Sequence, residues 1–300
     1  MKRYIYIINI LFLIAKTSQA QMAMDTIKLP EVKLIENKIN TYNIGVNIDA
    51  IKTTSLNEGS NLELTDLINS SSSIYIKKYG ALGTPTFRGT SSSHTLVLWN
   101  GIPINSIANG LSDLSNIYCY NFSDILIING GESSVFGSGA IGGSIHLNTD
   151  TKLAERNELG FCSTIGSYGL SSQALNLLIK YDKIRAKINL QELVHENKFK
   201  YTNTTQIGHP LSINEYGKIK FNSQNLDLNY QLNNNTKYSF NYWASNQERE
   251  VPQNMTTLIS DAKQYDKSIR ILSSFKHKKN NLIILAKQAY IQEDFEYTEL

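Results

Sequence analysis

From about residue 155 onward, apolar and polar side chains alternate with a period of two. Tyr238, Phe240, Tyr242 and Ala244 alternate with Lys237, Ser239, Asn241 and Trp243, and Leu175, Leu177, Ile179 and Tyr181 with Asn176, Leu178 and Lys180. Ile184, Ala186, Ile188 and Leu190 alternate with Arg185, Lys187, Asn189 and Gln191, and Ile269, Ile271 and Phe275 with Arg270, Leu272 and Lys276. This period puts one set of side chains on each face of an extended strand. Turn-forming clusters separate the runs: Gly166-Ser167-Tyr168-Gly169, Asp182-Lys183, Asn233-Asn234-Asn235 and Lys278-Lys279-Asn280-Asn281. The pattern predicts about seven amphipathic strands, whose short turns alternate with longer polar stretches such as 201–214 and 248–266. Between Ile219-Lys220-Phe221 and Leu226-Asp227-Leu228-Asn229-Tyr230 the apolar phase slips by one, which predicts a bulge or an extra turn. Long strands with tyrosines at their ends suit a sheet that shows one face to lipid and the other to water, rather than a soluble β-sandwich.

Residues 44–149 follow a different rule and read as a small α/β unit. Leu62, Leu64, Leu67 and Ile68 lie at helical spacing, with Ser60 or Asn61 placed to cap the helix. Ile74-Tyr75-Ile76 and Thr95-Leu96-Val97-Leu98-Trp99 are strand-like, and Asn100-Gly101 is a hairpin-turn dipeptide. Asp124-Ile125-Leu126-Ile127-Ile128 reads as a buried strand leading into Gly130-Gly131. Then comes Phe136-Gly137-Ser138-Gly139-Ala140-Ile141-Gly142-Gly143, where glycine permits positive φ and very close backbone approach, followed by the alternation of Ser144-Ile145-His146-Leu147. Gly137-x-Gly139-x-x-Gly142 formally satisfies the dinucleotide fingerprint. That motif must open a helix and meet an acid some 20 residues on; here a strand follows and Asp150 comes too early.

The first twenty residues predict a secretory leader: Lys2 and Arg3, an apolar run from Ile5 to Ala15, and small residues in Ser18-Gln19-Ala20 for cleavage before Gln21. That run is too short for a membrane-spanning helix. Lys2, Arg3 and Lys16 account for three of the 29 basic residues and no acid precedes Asp25, so the remaining chain balances at 26 of each sign. The net charge of +3 therefore implies no nucleic-acid partner. Cys119 and Cys162 imply no disulfide by themselves. The five histidines lack metal-ligand spacing, and no nucleophile elbow or paired acidic motif points to catalysis, so neither enzyme activity, metal nor cofactor is expected.

Several segments together resemble the TonB-dependent outer-membrane receptors, in which a plug domain precedes a β-barrel. Thr86-Phe87-Arg88-Gly89 resembles the family's Ile-Arg-Gly element, and Val97-Leu98-Trp99-Asn100-Gly101-Ile102-Pro103-Ile104 its "vLiDGiPl" segment. Ile125-Leu126-Ile127-Ile128-Asn129-Gly130-Gly131-Glu132-Ser133 resembles "IEVlrGPaS", and 136–143 the Gly-rich close. Asp25-Thr26-Ile27-Lys28-Leu29-Pro30-Glu31-Val32-Lys33-Leu34 resembles the TonB box and its surroundings. Asn129 and Gly131 depart from the family's basic residue and proline.

The resemblance implies a leader over 1–20, a periplasmic arm over 21–43, a plug over 44–149 and the start of a transmembrane barrel over 155–300. The fold class expected is an α+β plug, a small mixed sheet with short helices, followed by the first antiparallel strands of an incomplete, open transmembrane β-barrel. Seven strands are too few to enclose a plug, so the chain reads as the front part of a longer receptor. The implied function is energised uptake, across the outer membrane of a Gram-negative bacterium, of a scarce nutrient such as a siderophore, haem or cobalamin. A surface β protein that only binds its ligand is the alternative. The implied partners are TonB, outer-membrane lipid and that small molecule. Asp25, Thr26, Ile27, Lys28 and Leu29 would contact TonB by adding a strand to it. Arg88 would hold the plug against the barrel wall, and Gly137, Gly139, Gly142 and Gly143 would form the tight close. Ser92, His94 and Asn105, in polar plug loops, would contact the ligand.

Overall fold

The structure, a computed structural model, describes residues 47–53, 61–79, 82–149, 156–252 and 261–299. The expected leader and the expected arm with Asp25–Leu29 lie outside the described residues.

The plug begins with β1 (Asn47–Lys52) and helix α1 (Leu64–Ser71), followed by the hairpin of β2 (Tyr75–Tyr79) and β3 (Leu82–Thr86). Strands β4 (Thr95–Trp99), β5 (Ile102–Pro103) and β6 (Asp124–Asn129) come next, then the single-turn helix α2 (Ser133–Phe136) and β7 (Gly143–Asn148). They build a five-stranded sheet in the order β1-β6-β7-β4-β5, antiparallel except for the parallel β4–β7 pair. β4 is buried along its whole length, as its continuous apolar run demands of a central strand. Asn100 and Gly101 both take positive φ (48° and 81°), which folds β5 back on β4 in a two-residue turn.

Helix α1 buries Leu64, Leu67 and Ile68 on one face and exposes Asp66. It starts after Glu63, so Asn61 does not cap it, and Ser60 lies outside the described residues. Glu63 is extended and its side chain makes no cap bond; it bridges Tyr118, and the Leu64 amide donates to the Ile117 carbonyl at 2.8 Å. A long-range backbone pairing has taken the role the local sequence offered to a side chain.

The second half of the chain is one antiparallel sheet. Its strands are β8 (Glu158–Gly166), β9 (Leu170–Tyr181), β10 (Ile184–His195), β13 (Ile219–Asn233), β14 (Thr236–Glu250), β15 (Lys263–Lys279) and β16 (Leu282–Thr298). They pair in sequence order with β8 and β16 at the edges, so the sheet is not closed. A small hairpin, β11 (Lys200–Thr202) with β12 (Leu211–Ile213), rises from the loop between β10 and β13. The stretch 248–266 is loop only in its middle: β14 runs to Glu250 and β15 starts at Lys263, because Arg249 and Gln264 are buried as inward-facing strand residues.

No bulge or extra turn marks the phase slip in β13. Its register with β14 is unbroken from Ile219 to Gln231 and shifts only between Gln231 and Asn233. The slip records a change of face. Ile219 and Phe221 point inward, Phe221 packing on Tyr118 of the plug at a ring-centroid distance of 4.2 Å, whereas Leu226 and Leu228 point outward. The inward face otherwise carries Asn189, Gln191, Ser223, Asn225, Asp227 and Asn241, all buried. The outward face carries Phe161, Leu190, Tyr230, Tyr238 and Phe275, all exposed. Trp243 and Leu272 of the sheet join the plug's own core beside Val97, Trp99, Phe122 and Ile145. No helix among the described residues is long and apolar enough to cross a membrane.

Candidate functional site

The chemistry-bearing residues gather in two places: the Gly-rich close of the plug and the seam between plug and sheet. At the close, Gly137 has φ +96°, a backbone region that L side chains rarely adopt. A Cβ on Gly143 would lie 2.6 Å from a Phe87 ring carbon and 2.7 Å from the Ile128 carbonyl oxygen, so this glycine allows β7 to pass under Phe87. A Cβ on Gly142 would lie 2.5 Å from Thr90 Oγ1 and 3.2 Å from the His94 carbonyl, whereas one on Gly139 meets only Leu96, at 3.1 Å. The Gly142 amide donates to the His94 carbonyl at 2.9 Å.

That bond brings two predicted sites together, for His94 closes the short 3₁₀ turn Ser92–His94. Ser92 Oγ donates to Thr84 Oγ1 at 3.1 Å, and the His94 side chain is exposed. Asn105 serves its own loop: Oδ1 accepts from the Val97 amide at 2.8 Å, and Nδ2 donates to the Thr95 and Gly110 carbonyls, each at 2.9 Å. Arg88 is exposed, and its Nη2 reaches the Asn129 carbonyl of the plug itself at 3.4 Å. Among the described residues, Asp113 and Arg249 form a charge pair between plug and sheet. Asn129 in turn donates to Asp49 Oδ2 at 2.8 Å. Cys119 and Cys162 are both free; burial pushes the Cys119 thiol up, with Asp66 and Glu63 adding to it.

Beneath the close, Glu132, Ser144 and His146 meet in the interior, a cluster that sequence reasoning missed. Ser144 Oγ donates to Glu132, and His146 Nε2 lies 2.9 Å from both Glu132 Oε2 and Ser144 Oγ. A nucleophile relay uses the two ring nitrogens for two different partners. Here one nitrogen serves both, which ties β7 to the start of α2 and activates nothing.

The seam is polar and specific. Asp113 accepts from the Gly83 amide at 2.9 Å and from Ser115 Oγ at 2.6 Å, and its other oxygen pairs with Arg249 Nη2 from β14. Arg249 also lies 3.6 Å from Asp266 and donates to Ser115 Oγ at 2.7 Å. Toward the short turns, Thr149 Oγ1 donates to Asp227 at 2.8 Å, Asn241 donates to Asp227 at 2.6 Å, and Lys287 donates to the Asn100 carbonyl at 2.9 Å. Between these polar ends, Trp243 stands edge-on to Phe122 at 5.4 Å and tilted to Trp99 at 5.9 Å, with the Arg270 guanidinium 4.3 Å over its ring. Arg270 also pairs with Glu293 at 2.6 Å.

A cavity of about 230 Å³ opens in the seam at the Arg249 end. Glu63, Lys78 and Gly83 line it from the plug; Asn197, Gln247 and Arg249 line it from the sheet and its loops. Burial raises the pKa of the Glu63 carboxyl, and the neighbouring Asp66 adds to the rise. None of these residues stood out in the sequence. The inward alternation of β14, polar where a soluble sheet would be apolar, was the available signal.

Residues 40–144 match the family described as TonB-dependent Receptor Plug Domain. A 70-residue stretch is 41% identical to the "Vitamin B12 transporter BtuB" of Vibrio vulnificus, covering 23% of this chain and 11% of that protein. The fold is similar to the siderophore receptor PiuA of Acinetobacter baumannii, with a TM-score of 0.65 over 85% of this chain and 37% of that one at 14% identity. The ferric-catecholate import receptor Fiu of E. coli K12 superposes with a TM-score of 0.63 over 85% of this chain and 39% of that one, at 13% identity. The chain thus spans well under half the length of the receptors it resembles. Residues 40–144 thus carry a plug domain of the TonB-dependent receptor kind, packed on the inward face of an antiparallel sheet, and the chain as a whole is similar in fold to part of such receptors.

Proposed function

We propose that the chain works in energised uptake of a scarce small molecule, of the siderophore, haem or cobalamin kind, across the outer membrane of a Gram-negative bacterium. The observation that carries this reading is the seating of a family plug against the polar, buried face of a sheet whose opposite face is apolar and exposed. A sheet with those two faces suits a lipid exterior and a filled interior. Residues 1–20 act as the export leader. Asp25, Thr26, Ile27, Lys28 and Leu29 act as the segment that TonB captures by strand addition, with Arg88 and the Gly-rich close as parts of the plug that this pull rearranges. Ser92 and His94 lie in a plug loop where a ligand can be met.

Binding of a purified TonB carboxy-terminal domain to the full chain tests the coupling. Ile27→Pro removes a backbone donor from the pairing strand and should weaken binding at least about tenfold, the loss of roughly one net hydrogen bond plus its strand geometry. Unchanged affinity in that variant would remove the arm from this role.

A further inference from the structure

The seam cavity has an imbalance that its own residues do not resolve. Its cations are already matched: Lys78 pairs with Asp66 at 3.0 Å, and Arg249 is held by Asp113, Asp266 and Ser115. Glu250 Oε2 accepts from the backbone amides of Gly217 at 3.2 Å and Lys218 at 3.0 Å. Two acceptors are left over. Gln247 lines the cavity, is 2% exposed, and its Oε1 is buried without a hydrogen-bond partner among the described residues. Glu63 accepts from the Thr65 hydroxyl at 3.0 Å, and no cation lies within ion-pair distance of it among the described residues. An unpartnered buried acceptor is costly, so the lining favours whatever brings N–H groups to it.

We propose that this cavity is a subsite for a non-anionic nitrogen donor, a primary ammonium or a carboxamide, carried on an arm of the collected ligand. The inference rests on the uptake reading above and deepens it by naming the chemistry that the seam selects. Gln247 Oε1 accepts one N–H and the Glu63 carboxylate a second, while Glu63 and Glu250 together repel a carboxylate or phosphate arm. The plug contributes Glu63 and the sheet contributes Gln247, so an arm bound here touches both parts of the molecule. At roughly 30 Å³ per water-sized group, the volume takes an arm of about seven heavy atoms.

The test uses the full chain folded in a detergent micelle, titrated with propionamide, propylammonium chloride and sodium propionate while the side-chain amide resonances of Gln247 are followed. Propionamide and propylammonium should shift them saturably, and propionate should not. Gln247→Leu, followed through the backbone amide resonances of Gly83 and Gly217 in the same lining, should weaken both donors about fivefold, the worth of one hydrogen bond. Glu63→Gln, a near-isosteric change, should weaken propylammonium more than propionamide, a selectivity that a merely structural role for Glu63 would not produce. Propionate binding as well as the donors would overturn the proposal. So would an absence of saturation with all three probes in a preparation that still binds the TonB domain, a result that would leave the uptake reading standing. Saturable donor binding in a preparation that does not bind TonB would support the subsite and remove the uptake reading instead.

Discussion

Single residues in this molecule are fixed by what lies within a few ångströms of them, and the glycines show it most sharply. Gly143 has no room for a Cβ because the Ile128 carbonyl, a backbone atom that cannot rotate away, is 2.7 Å from where it would sit. Gly160, in the outer sheet, meets nothing closer than 3.7 Å. Gly143→Ala should therefore destabilise the protein by about 3 kcal/mol through overpacking, whereas Gly160→Ala should be neutral or slightly stabilising by restricting the unfolded chain. Urea midpoints of the two variants against the parent check this, and equal midpoints would contradict it. Glu63 is a residue-scale effect of another kind. Burial, then Asp66, raise its pKa above the ordinary glutamate value of 4.5, so the folded state holds the proton more tightly than the unfolded one. Over the window from 4.5 up to the raised value, stability falls as pH rises, and above that window the full cost of the buried charge is present. Glu63→Gln should thus be more stable than the parent at neutral pH. Its advantage should shrink as pH falls through the carboxylate range, a convergence that denaturation midpoints at several pH values would reveal.

Elements were legible wherever a single segment decides its own fate. The alternation of Tyr238, Phe240 and Tyr242 defines one face of β14, and Asn100-Gly101 makes the turn its positive-φ tolerance suits. The Gly-rich close was likewise readable as a strand entry rather than a phosphate loop, and β7 follows it. Legibility failed where a partner distant in sequence decides. Ser60 or Asn61 offered α1 a local cap, but Glu63 pairs with Tyr118 and sets the start of the helix. The slip in β13 looked like a defect of one strand. It is the trace of Phe221 turning inward to meet Tyr118. The seam was hidden for the same reason, since Asp113 and Arg249 lie 136 positions apart and neither belongs to a local motif. Arg88, the cation that local resemblance singles out, reaches the Asn129 carbonyl at 3.4 Å. Inward polar residues such as Asn189, Asp227 and Asn241 carried the signal, because a sheet face that buries amides and carboxylates must meet a hydrogen-bonding partner.

At the scale of the whole molecule, one sheet separates two environments and the energetics of each face follow from what it meets. The inward face is buried against the plug, and Ser223, Asp227 and Arg249 pair across the seam with Asn121, Thr149 and Asp113. The outward face is a continuous apolar band: Ile188, Leu226, Tyr242 and Ile271 align across four strands in its middle. Tyr181, Tyr230, Tyr238 and Phe275 form an aromatic row toward the short turns, flanking Ile184. Aromatic rings at one margin of an apolar band match the boundary between hydrocarbon and water. That arrangement makes a depth-dependent prediction. Tyr242→Arg, in the middle of the band, should cost about 2–4 kcal/mol in a lipid bilayer, and Tyr238→Arg, in the aromatic row, about 0–1 kcal/mol. Both side chains lie on the same strand and face, four residues apart, so strand propensity and register are common to the two variants and only depth differs. Urea titrations of the bilayer-embedded protein measure the difference. Equal costs at the two positions would mean that the outward face does not meet hydrocarbon, and the two-environment account of this sheet would fail with it.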